Sequence, residues 1–169
     1  MNRTNPNQSI SWLASLIVFF LVNIFAIATL VTPVWAVSYN NRAIYEADFS
    51  HRDLREDSFD HATLRDSDFS YSNLQGVRFF SANLSGVNFE GADLRNADLE
   101  STRLTRANLT NARLEGAFMT NSLLEGATIT GADFTNVLLS PTTERMLCKA
   151  ASGTNPTTGR NTKDTLFCP

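Results

Sequence analysis

Large apolar residues recur at every fifth position through the middle of the chain. The series starts at Ile44 and runs through Phe49, Leu54, Phe59, Leu64, Phe69, Leu74, Phe79, Leu84 and Phe89. It continues with Leu94, Leu99, Leu104, Leu109, Leu114, Met119, Leu124, Ile129, Phe134 and Leu139, twenty positions without a gap. Two places before each one the residue is usually small, as at Ala62, Ser67, Ala92, Ala97 and Ala112. The place between favours Asp or Asn, as at Asp48, Asp68, Asn88, Asp93 and Asp98. No ordinary element has this period. Five steps along an α-helix carry a side chain roughly 140° around the cylinder. On a strand, successive fifth residues fall on opposite faces. A repeat this regular sets the architecture before any helix or strand is assigned.

The unit, a small residue, Asp or Asn, Leu or Phe, and two variable positions, resembles the pentapeptide-repeat family over residues 42–141. The resemblance implies an all-β fold, a right-handed quadrilateral β-solenoid in which each pentapeptide makes one side and four make a coil. It also implies that the central apolar residue and the small residue before it pack into the lumen, while Asp, Asn, Arg and Thr face out. The aromatic pattern supports four sides independently. Phe and Leu alternate from Phe49 to Phe89, so a twenty-residue coil stacks Phe49, Phe69 and Phe89 on one side. Phe59 and Phe79 then stack opposite, and Leu54, Leu74, Leu94 and Leu114 form a third column. Like on like suits an interior packed at near-crystalline density. Residues 42–141 make five coils, a rod about 24 Å long at strand spacing. Burial at roughly 1.5–3 kcal/mol per central side chain gives a small chain a sizeable core, with stability nearly additive over neighbouring coils.

The first coil departs from the pattern. Arg42, Arg52 and Asp57 stand where the small inward residue belongs, and a dry lumen cannot hold such groups cheaply. Residues 42–61 are therefore expected to be looser or distorted, with the charged tips reaching solvent.

The flanks differ from the repeats. Residues 12–31, WLASLIVFFLVNIFAIATLV, are almost wholly apolar, and Arg3 is the one charge before them. Pro33 and the small residues Val34 and Ala36 give residues 1–36 the shape of an export signal cleaved after Ala36. The run is also long enough to span a bilayer as an uncleaved anchor. In either case Arg3 holds the N-terminus cytoplasmic and sends the repeats across the membrane. Residues 37–41 read as a lead-in.

The tail, residues 142–169, carries both cysteines, Cys148 and Cys168. TTERMLCKAASG reads as a short helix capped by Thr142 or Thr143 and stopped by Gly153. NTKDTLFCP reads as a second helical turn. The two cysteines offer too few ligands for a metal. In an exported protein they read as a disulfide, the alternative being two buried free thiols. Met146, Leu147, Leu166 and Phe167 are expected to lie over the end of the last coil, whose open sheet edge needs a cover. This segment also looks like the C-terminal segment of lumenal pentapeptide-repeat proteins from thylakoids, in which a disulfide-joined helix pair follows the solenoid. That likeness implies a cyanobacterial protein exported to the thylakoid lumen or the periplasm.

Charge narrows the function. The chain carries a net −3, and residues 42–141 hold nine Arg, no Lys and fifteen acidic residues. No basic stripe exists for nucleic acid. His51 and His61 are ten residues apart, half a coil, and so cannot converge on a metal or substrate; no phosphate loop or nucleophile elbow is present. No enzyme and no cofactor is expected. Asp48 and Asp68 stack at strand spacing, which would raise one carboxyl or attract a cation, or simply leave two solvated acids.

Four outward residues are apolar: Phe80, Phe118, Leu123 and Leu138. Phe80, Phe118 and Leu138 share a side and form a candidate docking surface for a protein partner of unidentified kind. The resulting expectation is a non-enzymatic scaffold or interaction module. Its membrane contact is confined to residues 12–31 if these are retained, and its oligomeric state is open. The alternative is a DNA-mimicking inhibitor of gyrase, as some pentapeptide-repeat proteins are. Arg113 and Arg103 interrupt the acidic columns that such mimicry uses.

Overall fold

The computed structural model describes residues 36–169. The apolar run at 12–31, read as signal or anchor, lies outside the described residues.

Each five-residue unit contributes one bridging residue and one corner. Parallel single-residue bridges join positions twenty apart without a break, from Ser38 and Ser58 to Phe118 and Leu138. Every coil is tied in both directions. The Leu94 N–H donates forward to the Arg113 carbonyl at 2.8 Å, and the Asp93 N–H donates back to the Ser72 carbonyl at 2.9 Å. The chain then turns, with the Ala97 N–H donating to the Leu94 carbonyl at 3.1 Å. Asn96, third residue of that turn, has φ 56°, as a type II turn requires. Gly and Asn fill most such corners because they enter the left-handed region at least cost. Four bends in twenty residues close a four-sided coil. The bends also leave the all-β expectation met only by isolated bridges, since each side is too short for a longer strand.

Eighteen of the twenty central residues, Phe49 through Phe134, are buried, while Ile44 and Leu139 at the ends are half-buried. Rings stack within columns, Phe49 on Phe69 at 4.7 Å and Phe59 on Phe79 at 5.0 Å. Between columns they meet edge-on, as Phe59 and Phe69 do at 5.6 Å, the arrangement that ring quadrupoles favour. Ser72 and Thr102, at inward small positions, donate their hydroxyls to the Phe69 and Leu99 carbonyls at 2.6 and 2.7 Å. Their burial therefore leaves no polar group unpaired.

The rod begins earlier than the repeat pattern suggests. Ser38 bridges Ser58, and Tyr39 stacks on Phe59 at 4.8 Å, so residues 37–41 run in register rather than leading in. Nor is the first coil distorted. Its ladder is continuous, with the Phe49 N–H donating to the Asp68 carbonyl at 2.7 Å. The charged tips do reach solvent. The exposed Arg52 lays its guanidinium 5.5 Å from the Phe49 ring centre, and Asp57 accepts the Val37 N–H at 2.7 Å. Projecting from the end of the rod, these side chains cost the lumen nothing.

At the other end the chain folds back as a cap. Helix α1, Pro141–Cys148, is capped by Ser140, whose hydroxyl accepts the Thr143 N–H at 3.1 Å. Pro141 occupies its first turn, where a missing N–H costs nothing. The expected caps, Thr142 and Thr143, lie inside the helix. The expected stop at Gly153 comes after the helix has ended at Cys148. Gly153 has φ 79°, and a Cβ there would stand 3.0 Å from the Gly131 nitrogen. It serves close approach to the last coil. Helix α2, Thr162–Thr165, is a single turn capped by Asn161. Cys148 and Cys168 form a disulfide with their Cα atoms 5.5 Å apart. Leu147 and Leu166 are buried and Met146 packs against the core. Phe167, expected over the end, is instead 79% exposed, because its φ of 51° turns the chain away.

Candidate functional site

The four faces of the rod differ in chemistry. One face carries the column Asp53, Asn73, Asp93, Arg113 and Asp133. Asp93 is its hub, accepting Arg95 at 2.8 Å, Gln75 at 2.9 Å and Arg113 at 3.2 Å. These carboxylates are matched by guanidinium groups, so the column does not present the unbroken negative charge of a DNA backbone.

Another side carries Asp48, Asp68, Asn88 and Asn108. Asp48 and Asp68 bridge, yet Asp48 is held below the ordinary carboxylate range by hydrogen bonds from the Ser50 hydroxyl and N–H. Asp48 is therefore not a carboxyl raised by its neighbour. Asn88 donates to Asp68, and Asn108 to Asn88, each at 3.0 Å, extending a side-chain ladder along the rod. Among the described residues no cluster of His, Cys, Asp and Glu is placed to hold a metal ion. His51 stacks on Tyr71 at 5.2 Å and His61 meets Phe80 edge-on at 5.6 Å, each engaged with an aromatic ring on its own side.

The docking residues fall on the column Ser38, Ser58, Arg78, Asp98, Phe118 and Leu138. Phe118 and Leu138 bridge one another and are 44% and 57% exposed. The structure brings these two together. Phe80 stands apart, half-buried against His61 at the corner, and Leu123 is exposed on the adjacent side. A groove of about 120 Å³ runs beside Leu138 and the cap, lined by Phe134, Val137 and Leu166 and by the polar Glu144 and Thr165.

The cap is fixed to this rod by residues that a linear reading passes over. Asn155, wholly buried, donates its amide to the Gly131, Asn111 and Ala112 carbonyls at 2.9, 3.0 and 3.3 Å. Its side-chain oxygen accepts the Thr157 and Thr158 N–H groups. The only signal for this in the sequence is an Asn-Pro turn, which does not tell a buried turn from an exposed one. Two backbone donors of the last coil find partners in the tail: Gly131 N–H at the Ser152 carbonyl and Phe134 N–H at the Thr165 hydroxyl. Arg160 reaches Thr135 at 2.9 Å, Asp133 at 3.2 Å and Glu115 at 3.3 Å.

Burial pushes the Asp133 carboxyl up, but hydrogen bonds from Thr135 and Thr158 and the Arg160 charge outweigh it and hold the group below its ordinary value. A lowered carboxyl contributes stability above the unfolded value and loses it as pH falls through the folded one. Cap docking is therefore expected to be constant from neutral to mildly acidic pH and to weaken below about pH 4, near the ordinary aspartate value of 3.8. Hydrogen exchange of residues 150–165 against pH checks this, and Asp133→Asn should flatten the profile.

Known proteins match this geometry. The sequence profile of the family described as pentapeptide repeats matches residues 45–79, 72–111, 82–121 and 102–140. The thylakoid lumenal 15 kDa protein 1 of Arabidopsis thaliana chloroplasts is 58% identical over 40 residues, 24% of this chain and 18% of that protein. The aligned part is thus under a fifth of that curated relative. The crystal structure of a pentapeptide-repeat protein from the Arabidopsis thaliana thylakoid lumen superposes with a TM-score of 0.73 at 44% identity. It covers 76% of this chain and 89% of that one. A pentapeptide-repeat protein from Nostoc gives a TM-score of 0.50 at 23% identity over 73% of this chain and 95% of that one, a likeness of fold alone.

Proposed function

Because the chain belongs to the pentapeptide-repeat family, whose members are right-handed quadrilateral β-solenoids, we propose that it is a non-enzymatic scaffold exported to the thylakoid lumen. The observation that carries the scaffold is the strip of Phe118 and Leu138, exposed on a rod whose interior is otherwise closed. Exposed aromatic and aliphatic side chains set side by side on a rigid face fit docking better than solvation. The 44% identity to a lumenal protein supports the compartment, and a disulfide suits an oxidising one.

Export has a direct test. Both tryptophans, Trp12 and Trp35, precede residue 37. Protein purified from isolated thylakoid lumen is expected to show tyrosine but no tryptophan emission. It should also show no free thiol on denaturation until reductant releases two. Tryptophan emission from the purified protein would mean that residues 1–36 are retained. Absence from the lumenal fraction would overturn the compartment.

A further inference from the structure

The docking strip has a charged end, and its charge is unbalanced. Towards the N-terminus of the same column the polar groups satisfy one another. Ser58 donates to Asn40 at 3.0 Å, and Arg78 pairs with Asp60 at 2.8 Å. One coil later the face presents Asp98 and Glu100. Neither forms an ion pair among the described residues. Their one mutual contact is the Glu100 N–H to Asp98 Oδ1 at 3.1 Å. Arg78, Asn96, Asp98, Glu100 and the exposed ring of Phe118 line one open depression of about 360 Å³. Arg78 shares this lining with its guanidinium paired to Asp60, which leaves two carboxylates without an ion-pair partner beside an exposed aromatic ring.

We propose that this depression receives a Lys or Arg side chain from an extended segment of a partner protein, whose next residues are apolar and cover Phe118 and Leu138. The inference rests on the scaffold reading and names the chemistry of its partner. A purely apolar partner would strip water from Asp98 and Glu100 without replacing it, a costly outcome for two charges. An acidic partner, or a nucleic acid, would meet like charge. A cationic head satisfies both carboxylates through charge-assisted hydrogen bonds, and it gains a second attraction over the Phe118 ring. Spacing agrees. Asp98 and Leu138 are two coils apart, about 10 Å at inter-strand spacing, which about three residues of extended chain span.

Two measurements test it. The first uses fluorescein-labelled peptides and protein purified from its native compartment. The probe is Gly-Lys-Val-Leu-Phe-Gly, compared with an analogue carrying Glu for Lys and another carrying Ser for Leu and Phe. The Lys peptide is expected to bind at least tenfold more tightly than either analogue, and increasingly so at low salt. The variant with Asp98→Asn and Glu100→Gln should lose that preference while keeping its fold. Equal binding of the Lys and Glu peptides, no binding of the Lys peptide, or an undiminished preference in the variant would overturn the inference.

The second measurement places a photo-crosslinking phenylalanine derivative at Phe118 and sequences the captured segment. A basic residue beside apolar ones supports the proposal. An acidic segment, or a second copy of this chain, overturns it and leaves the scaffold standing. The absence of any crosslink from this face overturns both.

Discussion

Leu104→Asp is expected to abolish cooperative folding of the rod. Leu104 is wholly buried in the lumen, surrounded by the central side chains of its own coil and of the coils on either side. Truncating such a leucine costs about 2–5 kcal/mol through lost burial and the cavity left behind. A carboxylate adds a desolvation penalty of several kcal/mol, because nothing in the lumen can pair with it. The sum approaches the whole stability of a typical domain, about 5–15 kcal/mol. Arg103→Asp, one residue earlier but exposed, should stay within about 0.5 kcal/mol of the parent. Urea unfolding followed by circular dichroism separates the two. Equal midpoints would mean that the five-residue register is misassigned.

Asn155→Ala is expected to release the cap without unfolding the coils. The side-chain amide serves three carbonyls on two successive coils. That of Ala112 keeps the Asp133 N–H, but those of Asn111 and Gly131 lose this donor, and a buried acceptor left without one costs about 1–3 kcal/mol. The disulfide limits the damage in oxidised protein, since closing its loop contributes about 3 kcal/mol. Fast amide exchange should therefore appear first in residues 150–162 and at Gly131, whose N–H is bonded to Ser152. Adding reductant to the variant should extend it to Phe134, which depends on Thr165. Exchange in residues 82–101 should not change, because coils distant from the cap share no contact with it. Protection of residues 150–162 equal to that of the parent would show that the disulfide alone holds the cap.

These two sites differ in how far the amino-acid order reveals them. Leu104 is legible because the lumen accepts one kind of side chain at one period, and twenty positions repeat the demand. The corners are less legible. Gly76, Gly86, Gly91, Asn96 and Asn111 fall two places after central residues and mark left-handed turns. Glu46, Tyr71 and Arg106 adopt the same conformation, so composition alone does not outline them. Asp93 reads as one more solvated acid until the coil brings Arg113 and Gln75 beside it from twenty and eighteen residues away. Asn155 is less legible still. Its role depends on where a turn lands, and only the docked cap decides that. Phe167 shows the same limit in reverse, since its left-handed backbone leaves it exposed while the neighbouring Leu166 is buried.

The bridge spacing of twenty has a consequence for how such a chain changes length. All backbone ladder bonds link a residue to one nineteen or twenty-one positions away, so excising one full coil rejoins like with like. Excising a single pentapeptide keeps the lumen's period but advances everything after it by a quarter turn. A small in-frame deletion therefore acts as a dial: it re-aims the Phe118 and Leu138 strip relative to the surfaces before it while the interior keeps its period. A family built this way can search partner orientations in steps of ninety degrees by gaining or losing five codons.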